Sequence, residues 1–358
     1  MRKQSIYDLT KPELEQWLIK VDEKPSRAAL IWQGLYHDLA EAFHEIAGLK
    51  PELTAKLEDA FSFIPLTIRE IQQGDETVKF LFALAEGALI ETVLMHHGYG
   101  SSVCVTTQVG CSMGCRFCAS GLLRKQRDLT AGEITAQVLF VRRYLKKRGA
   151  AAELSHITVM GIGEPFDNYH ELMRFLQIIT DQKGLSIAPR RITVSTSGLA
   201  PAIRRFAAEK IPVQLAISLH APNDTIRSEL MPINDAYPMA ELFSAIREYI
   251  VGTNRRVFFE YIMIRDLNDQ PEHALELARL LQPLGKKAYV NLIPYNPVAE
   301  NPYRRSERTS ISRFFDLLMQ EGVTCIIRRE LGSEIEGACG QLRSRHVRAG
   351  DLLQGKKN

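Results

Sequence analysis

Cysteine is scarce in this sequence, six residues in 358, too few for the disulfide framework of a small secreted protein. Long apolar runs are missing as well. Nothing approaches the ~18 residues needed to span a bilayer, and the opening MRKQSIYDLTKPELEQW lacks the apolar core of a signal peptide. A soluble, cytosolic protein is expected. No internal repeat and no low-complexity tract occurs, which sets aside solenoids and disordered arms. What remains is 45% hydrophobic and 24% charged, enough to bury a large core and most simply divided into one big domain and a smaller one.

The formal net charge of +3 conceals an uneven distribution. Residues 1–100 hold 10 basic and 16 acidic side chains, residues 101–150 hold 9 and 2, and residues 301–358 hold 11 and 7. Positive charge therefore surrounds Cys104, Cys111, Cys115 and Cys118 at one end and Cys339 at the other. Basic concentration beside candidate chemistry points to a polyanion such as RNA, with Arg124, Lys125 and Arg127 as candidate contacts. The alternative is a solvated helix face, since YLKKRG could simply end a helix with basic residues.

Apolar residues at helical spacing, punctuated by Pro12, Pro25 and Pro51, predict a small helical module over residues 1–60. Its compactness beside a basic face suggests an RNA-docking unit, with a protein-interaction module as the alternative. Residues 61–97 alternate (TVKFLFAL, ALIETVLMHH) and read as a β-rich linker of short antiparallel strands. Over 98–330 the runs SVCVTTQV, HITVMG, RRITVST, VQLAISLH, VFFEYIMI and YVNLIPY alternate with amphipathic stretches such as TAGEITAQVLFVRRYL. That pattern predicts an α/β fold with six βα units, an incomplete parallel barrel whose functional groups sit at the carboxyl ends of the strands. Polar residues do gather where the apolar runs stop: Gly163 and Glu164, Ser195, Ser218 to His220, and Asn296.

Cys111, Cys115 and Cys118 stand as CSMGCRFC just after the first of these runs. Three close thiolates suit an iron-sulfur cubane with one iron left open. Zinc, which prefers C-x-x-C pairs and a fourth protein ligand, is the alternative. Cys325 alternates with apolar residues and reads as a small buried hydrophobe. By the same rule Cys104 could be a core residue or a fourth metal ligand, and Glu91 a solvated strand residue.

The ordered set CVTTQVGCSMGCRFCASG, MGIGEPFDN, ITVSTSG, ISLHAPND, NLIPYNP and EGACGQLR resembles the radical S-adenosylmethionine (SAM) superfamily, and within it the RlmN family. The likeness extends over nearly all of residues 90–345. It implies a radical SAM partial (β/α)6 barrel over 98–330, followed by a C-terminal catalytic loop and tail at 331–358. It implies a 4Fe-4S cluster on Cys111, Cys115 and Cys118, and SAM, two molecules per turnover, bound by Gly163, Glu164, Ser195, Ser218, Leu219, His220 and Asn296. Cys339 would carry the methyl group, Cys104 would be the second catalytic cysteine and Glu91 the proton acceptor. The implied reaction is methylation of C2 of an adenosine in 23S ribosomal RNA and in transfer RNA, in a monomer served by a flavodoxin-like electron donor.

That reaction demands unusual parts. C2 of adenine is neither acidic nor nucleophilic, so it cannot take a methyl from SAM by displacement, whereas a cysteine sulfur can. The resemblance implies that a thiomethylene radical on Cys339 then adds to C2, and that Cys104 resolves the adduct through a transient disulfide. Cfr-type methylation at C8 of the same ribosomal adenosine uses the same parts. A non-enzymatic iron-sulfur or zinc RNA-binding protein would give Cys339 no role.

Overall fold

The computed structural model describes residues 3–354 except 65, 123, 150–153, 299 and 330–339. Its centre is a ten-stranded sheet whose spatial order follows the chain: β1 (Thr67–Gln73), β2 (Thr77–Ala83), β3 (Leu89–His97), β4 (Gly100–Cys104), β5 (Leu154–Val159), β6 (Ile192–Thr196), β7 (Gln214–Ser218), β8 (Val257–Met263), β9 (Ala288–Pro294) and β10 (Thr324–Ile327). β1 to β4 pair antiparallel, and β4 to β10 pair parallel.

The six β-branched runs read from the sequence are the six consecutive parallel strands β4 to β9. The run containing Cys325 adds a seventh, β10, in register with β9 through Val290 and Cys325. Cys325 is buried there, as its alternation with apolar neighbours suggested. Residues 61–97, expected as a β-rich linker, do carry short antiparallel strands. They form β1 to β3 of the same sheet, and the hairpins that join them leave no composition break for a boundary to show.

Helices longer than six residues are α1 (Lys11–Lys20), α2 (Arg27–Tyr36), α3 (Pro51–Ala60), α4 (Ala131–Lys147), α5 (Tyr169–Thr180), α6 (Ala200–Ala208), α7 (Asp224–Leu230), α8 (Met239–Thr253), α9 (Pro271–Leu281), α10 (Arg308–Gln320) and α11 (Gln341–Gln354). Local chemistry sets their starts. Thr130 and Glu133 form a reciprocal capping box on α4, and Asn223 caps α7 by accepting the N–H of Ile226. Pro12, Pro51 and Pro271 sit in first turns, where a missing N–H costs nothing.

β2 is buried along its whole length. One face is covered by α4, where Phe140 meets Phe80 and Phe82 edge-on. The N-terminal module docks on α4 and α5: Arg143 donates to the Leu39 and Ala40 carbonyls, Arg174 pairs with Glu13 through both oxygens, and Asp8 accepts the N–H of Gly132 near the start of α4. These bonds satisfy polar groups at an interface whose buried apolar residues are continuous with the main core.

Candidate active site

The carboxyl ends of β5 to β9 surround a cavity of about 240 Å³. Cys111, Cys115 and Cys118 form one wall, and Gly163, Glu164, Ser195, Ser218 and His220 line the remainder. The parallel strands alternate inward and outward residues, so a polar group reaches the cavity where an apolar run stops or from an inward position within the run.

The cysteine loop is fastened at several points. The Cys118 N–H donates to the Cys115 carbonyl, the Gly121 N–H to the Cys118 carbonyl, and the Arg116 N–H to the Leu230 carbonyl at the end of α7. Burial pushes the Cys111 thiol up to about 12 and the Cys115 thiol well above its ordinary value, with repulsion between neighbouring cysteines adding to both. Such thiols become thiolates only when a strong cation binds them. Among the described residues no three His, Cys, Asp or Glu side chains converge as one metal ion would require. Three cysteines are the number of protein ligands that suits a cubane with one iron left open, whereas zinc prefers a fourth protein ligand, so the donor set fits a cluster better than zinc.

Opposite the cysteines, Gly163 has φ +108°, and a Cβ there would lie 2.6 Å from Gln108 Cβ. Only glycine fits this turn. Glu164 is buried, which raises its pKa, yet its oxygens accept the N–H groups of Phe166 (3.0 Å) and Ser197 (2.7 Å). The Ser195 and Ser218 hydroxyls face each other at 3.5 Å. His220 adopts φ +59° and accepts the Ile262 N–H on Nδ1, leaving Nε2 to carry the ring proton. Burial, reinforced by Arg227, pushes its pKa down to about 3, so the ring is neutral.

Two expected SAM positions lie off this wall. The Leu219 side chain is fully buried in the core, and the backbone N–H is what faces β8, donating to the Glu260 carbonyl. Asn296 is exposed beyond β9, where its amide reaches Gln341 Oε1 at 3.5 Å. Glu260, which sequence reading passed over, does line the cavity. It sits inside the VFFEYIMI run with no flanking motif; only the pairing of Ser218 with Glu260 in adjacent strands reveals it.

Cys104 ends β4 opposite Val93 and packs with Val93, Met95 and Met160. Met160 also lines the cavity. Glu91, on β3, accepts the Gly340 N–H with Oε2 and the Arg343 N–H with Oε1. Cys339 lies outside the described residues. No disulfide joins any two of Cys104, Cys111, Cys115, Cys118 and Cys325.

The helical module at residues 4–62 matches the ribosomal RNA large subunit methyltransferase N-terminal domain, and residues 105–278 match the radical SAM superfamily. The chain is 54% identical over 344 residues to a probable dual-specificity RNA methyltransferase RlmN from Streptococcus thermophilus, covering 96% of this chain and 88% of that protein. It belongs to the RlmN family. A second RlmN relative, from Enterococcus faecalis, is 53% identical over 350 residues, with 97% and 98% covered. The crystal structure of a radical SAM methyltransferase from Sphaerobacter thermophilus superposes with a TM-score of 0.91 at 44% identity, covering 95% of this chain and 99% of that one.

The basic segment before α4 departs from the sequence reading. Lys125 pairs with Asp128 and Asp167, and Arg127 pairs with Glu133 and Glu86. Both cations are already neutralised within the fold, which a count of charges along the chain cannot reveal. Arg124 alone of the three stands exposed with no such pairing among the described residues.

Proposed function

We propose that this chain is a radical SAM RNA methyltransferase that methylates C2 of an adenosine in 23S ribosomal RNA and in transfer RNA through a methyl group carried by Cys339. What supports the reading best is one juxtaposition: the three-cysteine wall and the strand-end polar residues share a cavity, and Met160 of its lining packs against the cluster that holds Cys104.

Cys111, Cys115 and Cys118 would hold a 4Fe-4S cluster, which when bound supplies the electron that cleaves SAM to methionine and a 5'-deoxyadenosyl radical. Gly163 gives the backbone room for the cosubstrate, Glu164 fixes the turn around it, and Ser195, Ser218 and neutral His220 present uncharged polar groups. In a first step the Cys339 sulfur attacks the SAM methyl carbon, forming S–CH3 and releasing S-adenosylhomocysteine. One hydrogen atom of that methyl would pass to the 5'-deoxyadenosyl radical, giving 5'-deoxyadenosine and a thiomethylene radical on Cys339, which adds to C2 of the adenine. The C2 proton departs to Cys104 or Glu91. Attack of the Cys104 thiolate on the Cys339 sulfur cleaves the protein-RNA link, and the adduct's one unpaired electron passes to the oxidised electron donor. The freed enamine-like carbon takes up a proton as the new methyl group, and a transient disulfide is left for an external thiol to reduce. The target base must be unstacked to enter so confined a site. A flavodoxin-like donor and a monomeric state complete the reading.

Single cysteine variants test it. Cys339→Ala should receive no methyl and form no adduct. Cys104→Ala should accumulate protein crosslinked to RNA, a slow band on a denaturing gel that RNase collapses, and the double variant should show none. An adduct in Cys339→Ala, or methylated RNA at the wild-type rate from Cys104→Ala, overturns the assignment. Mass spectrometry of nucleosides from treated RNA distinguishes 2-methyladenosine from the 8-methyl isomer.

A further inference from the structure

The hairpin that joins β3 to β4 turns on Gly98 and Tyr99, between the paired His97 and Gly100. Tyr99 at its tip is 69% exposed, yet its ring is held in place. It lies against His97 with ring centroids 4.8 Å apart and planes 6° from parallel, and it meets His156 of β5 edge-on at 5.3 Å. Both imidazoles are anchored in turn. His97 Nε2 is bonded to Ser102 Oγ at 2.8 Å, and His156 Nδ1 to Ser155 Oγ at 2.8 Å, whose own proton goes to the Ser101 carbonyl. Rings from two strands therefore brace a side chain that is open to solvent.

Positive charge surrounds this group. Burial, and then the neighbouring His156 and Arg328, push the His97 pKa down; burial and Arg191 do the same for His156. Arg191 precedes β6 and Arg328 follows β10. Both are exposed, and neither pairs with a carboxylate among the described residues. Glu76, the acid that also acts on His97, is taken up by Arg329 at 2.7 Å. Arg328 also lines the cavity that holds the cysteine wall, so the patch and the cavity adjoin.

A braced, exposed ring offers a nucleobase a surface to stack on without first having to be ordered, and guanidinium groups beside it suit phosphates. An acidic peptide would satisfy the arginines but leave the ring unused. We propose that Tyr99 is a stacking platform for an unpaired nucleotide of the RNA substrate, and that Arg191 and Arg328 hold neighbouring phosphates. The proposal rests on the reading of RNA as substrate, and it names a face of the chain, outside the cavity, that the RNA crosses.

The test measures RNA binding by iron-loaded, full-length protein without SAM, so that no chemistry intervenes. The probes are an RNA hairpin with a single-stranded loop and a fully paired RNA duplex of the same composition. Wild type is compared with Tyr99→Ala, Tyr99→Trp and the double variant Arg191→Gln, Arg328→Gln, and melting temperature and iron content establish that each is folded and loaded. Tyr99→Ala should bind the hairpin at least about tenfold more weakly, the scale of one lost base–aromatic stack, and bind the duplex as wild type does. Tyr99→Trp should keep the affinity, and the hairpin should quench its fluorescence beyond any quenching seen in wild type. In the arginine variant the slope of log affinity against log salt should fall by about 0.7 for each arginine removed.

Hairpin affinity in Tyr99→Ala equal to wild type overturns the proposal, as does an equal loss on the duplex, an unchanged salt slope in the arginine variant, or a wild type that binds neither RNA. If wild type binds the hairpin as expected but methylates no RNA, the methyltransferase reading falls and the platform stands. If Tyr99→Ala binds and methylates RNA as wild type does, the platform falls and that reading stands.

Discussion

Glu164 Oε2 accepts the Ser197 N–H at 2.7 Å, so one side chain from the turn after β5 is tied to the loop after β6. The expected SAM contacts on both strands, Gly163 and Ser195, are thereby held in one frame. Glu164→Ala removes the acceptor for two buried N–H groups, each costing roughly 1–3 kcal/mol when left unmade. SAM affinity should fall at least about tenfold, with Glu164→Gln less affected because its amide oxygen can replace one acceptor. Equilibrium binding of SAM to the iron-loaded variants gives the answer, and equal affinity in Ala and wild type would rule out the framing role.

Iron content tests the cysteine wall. Anaerobically reconstituted protein should bind about four irons, as one thiolate-held cubane requires, and Cys115→Ala should lose both iron and methyl transfer. Because burial raises the thiol pKa values of Cys111 and Cys115, cluster assembly must release protons, and it should go further towards completion as pH rises. Stoichiometric zinc without iron would contradict the radical assignment.

His220 makes a pH signature available. Its folded pKa is about 3, below the 6.5 of an unfolded histidine. Between those values the unfolded chain binds a proton that the folded one refuses, so this group's contribution to stability falls as pH drops below about 6.5. Asn tolerates the left-handed backbone of this position and keeps an acceptor for the Ile262 N–H. Urea unfolding at pH 7.5 and 5.5 should show wild type losing about 1 kcal/mol more than His220→Asn. Parallel losses in the two proteins would mean that His220 is protonated in the fold.

The basic segment should split by role. Arg127 meets both oxygens of Glu133 at 2.7 and 2.8 Å, the residue that also completes the α4 capping box. The guanidinium is one-third exposed, so solvent screens the pair. Arg127→Glu should still lower stability by ~1 kcal/mol, whereas Arg124→Glu should leave melting unchanged and weaken RNA binding in a salt-dependent way. Thermal melts and RNA titrations at two ionic strengths separate the effects, and RNA affinity unchanged in Arg124→Glu would remove that residue from the RNA surface.

Much of the fold was readable because helices and strands carry different periods. Six β-branched runs became six adjacent parallel strands, and polar residues at their ends became a cavity lining. Register was not readable. Leu219 sits within the ISLH motif, yet its side chain faces the core, while Asn296 reaches Gln341 instead of the cavity. Partners distant in sequence were also hidden: Lys125 finds Asp167, and Arg127 finds Glu86, only through folding. Glu91 looked like an ordinary charged strand residue because nothing near it in sequence reveals that a helix start is its partner.

Glu91 and Gly340 are 249 positions apart. A ribosome builds the carboxylate well before its backbone partners, which follow the strands of the sheet along the chain. During synthesis the cysteine loop and cavity walls therefore precede the segment that completes them. A chain clipped near its carboxyl end would keep Cys111, Cys115 and Cys118 while losing the helix whose first N–H groups Glu91 accepts.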